Sequence, residues 1–244
     1  MIHYHGVSGL TPSELVYQIL CGKDALISFP YRDQNQQIVL ENCRSVMLDN
    51  GAFTAWKSGK PFDYGAVVNW YSELQNHPSI TGMIIPDIIE GSENENDKLV
   101  EKFPFRMGIP VWHLHESNAR LMALCAAFPV VALGSSGVFS QPKAITWWAR
   151  MDGAFKCITD DYGRPKCKLH GLRMLDPEIF TRLPLSSADS THMGRSIKFD
   201  QKWRGYSRHT TKRARGIVIV ETLERVVPTD KYVGAPEQQP LLFC

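Results

Sequence analysis

No stretch of this 244-residue chain approaches the roughly 18 to 20 uninterrupted apolar residues that a membrane span requires. The opening segment MIHYHGVSGL also lacks a basic start followed by an apolar core. A soluble, cytoplasmic protein is expected, with no membrane partner. The six cysteines (Cys21, Cys43, Cys125, Cys157, Cys167, Cys244) show no C-x-x-C spacing, so neither a disulfide framework nor a zinc knuckle is signalled, and reduced thiols are expected. No G-x-G-x-x-G or G-x-x-x-x-G-K-[ST] loop occurs, which removes support for the nucleotide-phosphate folds built on them. Net charge is only +2, so overall charge alone names no polyanionic partner.

What is present is a recurring unit. Short apolar runs rich in β-branched residues end in a polar residue or glycine and are followed by helix-like stretches, the pattern of β/α units. Eight are counted: Ile2 to His5, Ala25 to Pro30, Ser45 to Asp49, Met83 to Asp87, Ile109 to His113, Val130 to Gly134, Lys168 to Leu172 and Leu185 to Asp189. Eight units in sequence predict an α/β fold, a closed (β/α)8 TIM barrel with a short basic C-terminal extension. With 43% apolar residues the chain can bury one large core. The catalytic barrel is placed at residues 1–195, with a basic segment at 196–244 packing on it or extending it.

Helix starts are signalled by Thr11-Pro12-Ser13-Glu14, read as a capping box with proline at the first helical position, and by Asp176-Pro177. Ser117 and Ser140 are further candidate caps. Leu15, Val16, Ile19 and Leu20 fall on one helical face, as do Val67, Trp70, Tyr71 and Leu74. Ile217 to Val220 is read as one additional strand.

In this fold the active site lies at the C-terminal strand ends. The residues there are Asp49, Asp87, His113 with His115, Gly134 with Ser135 and Ser136, His170, and Asp189. A lone aspartate at such a place serves equally as a turn former or cap. Three together favour chemistry. Small residues (Ser186, Ser187, Ala188) precede Asp189, and a glycine turn follows Asp49, so both carboxylates are open to a ligand.

Four elements in order carry a resemblance: Asp49-Asn50-Gly51-Ala52-Phe53, Ile84-Ile85-Pro86-Asp87, Leu133-Gly134-Ser135-Ser136-Gly137 and Ala188-Asp189-Ser190. Together they resemble the tRNA-guanine transglycosylase superfamily, and most of all its DNA-modifying 7-deazaguanine paralogues from bacteria and their viruses. The resemblance covers most of residues 45–195. The C-x-C-x-x-C zinc motif of the family's tRNA enzymes is missing, and the glycine loop has serines and lacks the following glutamate. These departures favour DNA over tRNA as substrate.

The resemblance implies exchange of guanine in a polynucleotide for a 7-deazaguanine base; no cofactor is expected, and no metal ligands are read from the sequence. Asp189 would capture C1′ as nucleophile, as in retaining glycoside hydrolysis, and Asp49 would move protons in both half-reactions. Asp87 would read the donor edge of the base, Asn50 would line the site, and backbone N–H groups near Gly134 and Ser135 would meet its carbonyl oxygen. Phe53 would stack on the base or belong to ordinary core packing. His113 is read as a hydrogen-bond partner in the pocket or as a satisfied structural histidine.

From Arg195 to Arg215 the chain carries eight Lys or Arg and one acid. Arg195, Lys198, Lys202, Arg204, Arg208, Lys212, Arg213 and Arg215, with Trp203 and Tyr206 interleaved, read as a phosphate-binding surface or as a solvated charged face. Just after the predicted nucleophile, such a surface suits a polynucleotide whose target base is flipped out. An accessory protein that opens duplex DNA is compatible with this scheme. Three other readings stand beside it: a tRNA-directed enzyme, a metal-dependent amidohydrolase using His3-Tyr4-His5 with Asp189, and an inactive nucleic-acid-binding partner subunit.

Overall fold

The structure is a computed structural model that describes residues 1–191, 193–198 and 211–236, without the Arg195 side chain. Nine parallel strands form one nearly closed, barrel-shaped sheet. The first half of the chain supplies β1 (Ile2–Gly6), β2 (Asp24–Ser28), β3 (Ser45–Asp49), β4 (Ile80–Ile84) and β5 (Gly108–Ile109). The rest of the chain supplies β6 (Val111–His113), β7 (Val130–Gly134), β8 (Lys168–Gly171) and β9 (Ser187–Ser190). Their order is β5-β4-β3-β2-β1-β9-β8-β7-β6, so the two sheet edges are consecutive in sequence and separated only by Pro110. The expected fold is therefore observed. Its fifth strand is split because proline has no N–H to give to a ladder.

Helices α1 (Glu14–Leu20), α2 (Arg32–Asn42), α3 (Ala52–Ser58), α4 (Tyr64–Leu74) and α5 (Glu93–Lys102) alternate with the first strands. They are followed by α6 (Asn118–Ala127), α7 (Ile145–Ile158), α8 (Pro177–Phe180), α9 (Met193–Ser196) and α10 (Lys212–Arg225). The two apolar faces read from spacing are buried as expected: Leu15, Val16, Ile19 and Leu20 on α1, and Val67, Trp70, Tyr71 and Leu74 on α4. Ser117 caps α6 by accepting from the Arg120 N–H, and Asp176 caps α8 with Pro177 in its first turn.

Three local expectations are corrected. Ile217 to Val220 is not a strand but the middle of α10, which Thr211 caps. The β-branched run is overridden by packing: α10 lies on α1, and Gly216 sits so close that a Cβ there would fall 2.3 Å from Ile19 Cδ1. Ser140 does not cap the start of a helix: α7 begins after Ala144, and Ser140 instead ends the short 3-10 turn 137–139. Ser13 does occupy the N-cap of α1, but its hydroxyl donates to the Gln34 carbonyl across to α2, so no capping box forms.

Helix α10 lies in the segment after residue 195 that was expected to pack on the barrel or extend it, and it packs on the barrel. Val220, with Ile217 and Ile219 against it, joins the same core as α1, and Leu223 and Val226 pack on the other side of the barrel. Lys23 and His5, at the end of the loop before β2 and on β1, both meet Glu224. The helix after the last strand thus completes the outer layer of the barrel. Inside the barrel, Tyr4, Leu26, Met47, Ile84, Ile109, Val111 and Ala132 form a separate apolar plug, and a 2.8 Å hydrogen bond joins Tyr4 Oη to Thr81 Oγ1.

Candidate active site

Side chains along a strand alternate between faces, so residues two positions beyond the plug point inward one layer higher. Leu26, Met47, Val111 and Ala132 belong to the plug. Two residues further on stand Ser28, Asp49, His113 and Gly134. The same step on β9 leads from Ser187 to Asp189. These residues, with Asp87 and Phe53, line one cavity of about 870 Å³ at the C-terminal ends of the strands. Asp49, Asp87 and Asp189 are therefore brought together.

Asp49 lies opposite Ser28 in the β2–β3 register, and the Ser28 hydroxyl donates to its Oδ2 at 2.6 Å. Burial pushes the Asp49 carboxyl up to about 7, against the Ser28 hydrogen bond, and the negative charges of Asp189 and Asp87 add to the rise. The turn that follows depends on Gly51. Its φ is +78°, and a Cβ there would lie 2.4 Å from Pro30 Cδ.

Asn50 is committed within the protein. Its Oδ1 accepts from the Ala52 N–H at 2.7 Å, and its Nδ2 donates to the Ile85 carbonyl and to Asp87 Oδ1, both at 2.9 Å. It borders the cavity as expected, but its polar atoms bracket the Asp49 turn to the end of β4. The other Asp87 oxygen, Oδ2, is 2.8 Å from His113 Nε2. His113 is thus the partner of Asp87. Its ring stacks on His115, and Gly134 leaves the room it needs, since a Cβ there would lie 2.8 Å from His113 Nδ1. Below it, Glu116 accepts from the His113 N–H, from Asn96 and from Arg120, and fixes the top of β6.

Asp189 is held by His170, whose Nε2 is 3.2 Å from Asp189 Oδ2 and whose Nδ1 is 2.9 Å from Ser187 Oγ. His170 is completely buried. The sequence placed it at a strand end without a partner, and its pairing with Asp189 follows from β8 and β9 being neighbours.

Arg173 was missed. Its guanidinium carbon lies 3.7 Å from the centroid of the Phe53 ring, and one Nη donates to the Ser135 carbonyl. The signal available was a cation just past the end of a strand, in Leu172-Arg173, among acidic strand ends. Phe53 lines the cavity rather than packing in the core, with Trp56 at its side. Ser135 is buried and accepts from Trp147 Nε1 at 2.8 Å, so Gly134 and Ser135 present a pinned stretch of backbone to the site.

The basic residues separate into groups. Lys198 lines the cavity and is exposed, and Lys212 and Arg213 are exposed on the first turn of α10. Arg215 is not on that surface: it is buried, and its Nε donates to the Ile197 carbonyl at 2.8 Å. Every fourth residue of a helix returns to the same side, so a helix that packs on a barrel must turn some of a charged run inward. Lys202, Arg204 and Arg208, with Trp203 and Tyr206, lie outside the described residues, as does the Arg195 side chain.

His3 and His5 point away from the cavity. Tyr4 enters the barrel between them, while His3 meets the Phe180 ring and His5 faces Glu224. Burial lowers both, His5 to about 4. An H-x-H pair shared with Asp189 is therefore not formed. Fold and site define a β/α barrel with an acidic cleft, one wall aromatic, at the C-terminal ends of its strands. Comparison with known protein families, with curated proteins and with solved structures finds no match.

Proposed function

We propose that this protein is a base-exchanging transglycosylase of the tRNA-guanine transglycosylase superfamily, which replaces guanine in DNA by a 7-deazaguanine. The observation that carries the reading is the unequal treatment of two carboxylates facing one cavity. Asp49 is held near neutral pH by burial, while Asp189 is oriented by His170. A reaction that needs one proton carrier and one nucleophile needs that difference.

Asp189 attacks C1′ of the target nucleotide, and the C1′–N bond breaks as neutral Asp49 gives its proton to the departing guanine. The glycosyl ester on Asp189 is then attacked by the incoming base. Asp49, now a carboxylate, takes the proton from that base, and Asp189 leaves as a carboxylate. One group changing protonation state twice closes the cycle. Asp87, held by Asn50 and His113, accepts from the donor edge of the purine, and Phe53 supplies a stacking face. Lys198, Lys212 and Arg213 are available to phosphates.

The test is incorporation of a labelled 7-deazaguanine into duplex DNA, single-stranded DNA or tRNA, repeated with Asp189→Ala. Incorporation into DNA and a covalent adduct on denaturing gels are expected for the wild-type protein, and neither for the variant. Exchange retained by Asp189→Ala overturns the mechanism, and exchange confined to tRNA overturns the choice of substrate.

A further inference from the structure

The contacts of Arg173 are those that a purine would make. A guanidinium is planar, carries N–H donors around its rim, and stacks on aromatic faces. Guanine contains the same nitrogen–carbon–nitrogen fragment with its amino group. In this cavity the Arg173 guanidinium lies 3.7 Å over the Phe53 ring and donates to the Ser135 carbonyl, and it interacts with the charges of Asp49 and Asp189. Aromatic ring, backbone acceptor and carboxylates surround it from different elements: α3, the end of β7, β3 and β9.

Two further features set Arg173 apart. Its backbone φ is +60°, the left-handed region that residues with side chains seldom occupy and that concentrates at functional sites. Among the described residues it also has no carboxylate within ion-pair distance, although three aspartates line the same cavity, two of them facing histidines. Burial lowers it, against the pull of Asp189 and Asp49. A cation fixed for stability alone would be expected to close on one of those carboxylates. This one stacks instead.

We propose that Arg173 is an internal stand-in for the purine: its guanidinium fills the stacking slot on Phe53, and the exchanged base enters by displacing it. The inference rests on the transglycosylase reading for the identity of the base. Arg173 thus competes with the free base, and removing the side chain makes the slot available without that competition. Arg173→Lys keeps the charge but not the planar fork, so it should release the slot as well.

The experiment is calorimetric titration of the wild-type protein, Arg173→Ala and Arg173→Lys with guanine and with a 7-deazaguanine. Guanidinium chloride at millimolar concentration is then added as a competitor. The expected result is about tenfold tighter base binding by Arg173→Ala, equivalent to ~1.4 kcal/mol. Guanidinium ion should weaken base binding to Arg173→Ala and leave binding to the wild type unchanged. Base binding that is equal or weaker in Arg173→Ala overturns the proposal, as does insensitivity of that variant to guanidinium. The exchange assay separates this from the parent reading. Tighter base binding without exchange in the wild-type protein leaves the stand-in and removes the transglycosylase; exchange without tighter binding does the reverse.

Discussion

Replacing Asp49 by Asn tests the electrostatics of the site without requiring a substrate. The substitution keeps the shape of the side chain and leaves an oxygen for the Ser28 hydroxyl, while removing the ionisation. In an unfolded chain the carboxyl loses its proton near 3.8, whereas in the folded protein burial holds it to about 7. Between these values the folded state binds the extra proton, so wild-type stability falls as pH rises from about 4 to about 7 and then levels off. At ~1.4 kcal/mol per pH unit the full gap is worth ~4 kcal/mol. The carboxyl faces a cavity that water enters, which screens it, so about 2 kcal/mol is expected. Urea unfolding of both proteins at a series of pH values is the assay. The two should be similarly stable near pH 4, and Asp49→Asn should be the more stable by about 2 kcal/mol at pH 8. Stability curves that run parallel across this range would refute the assignment of the high value to Asp49. The same variant should lose base exchange by a factor on the order of 100 to 10,000, the usual contribution of a positioned acid and base.

Asp87→Ala should raise the KM for the incoming base by a factor of about 5 to 100, the equivalent of one buried donor left unpaired, as read from initial rates against base concentration. His170→Asn should lower kcat by about tenfold or more and leave the KM for the base unchanged, because His170 touches Asp189 and not the Asp87 end of the cavity. Equal effects on both constants would contradict that division. Arg120→Met should lower stability by about 3 to 5 kcal/mol, since it leaves Glu116 buried without its cation. Thermal unfolding measures it, and adding Glu116→Gln should restore part of the loss.

The periodic part of this molecule was readable from the chain. Several strand ends announced themselves because the apolar run stops at a polar residue that must find solvent, a partner or a ligand, so Asp49, Asp87, His113 and Asp189 could be placed at one end of a barrel. Pairings across the barrel were not readable. That Asp87 takes His113, and Asp189 takes His170, depends on which strands are neighbours and on shear between them, neither of which periodicity encodes. Ile217 to Val220 misled because its local preference for strand is real and is overruled only by the close approach of Gly216 to Ile19. Arg173 escaped because one cation at a strand end looks like any solvated charge until Phe53 is seen beneath it. Arg215 shows the reverse: a member of a basic run whose side chain the packing draws inward.

The split at Pro110 bears on how the cleft is held together. Every other junction of the sheet is a ladder between distant parts of the chain, but β5 and β6 are successive pieces of one segment, joined at a residue with no N–H. The ring is thus fastened at its seam by a peptide linkage and by the hydrogen bond from Ala132 to the Pro110 carbonyl. Three residues above this seam stands His113, the support of Asp87. Asp49 and Asp189 stand on β3 and β9, which are joined through the unbroken ladders of β2 and β1, whereas Asp87 and His113 flank the seam. The barrel is in this sense a clasp, with Asp49 and Asp189 on the band and Asp87 beside the catch.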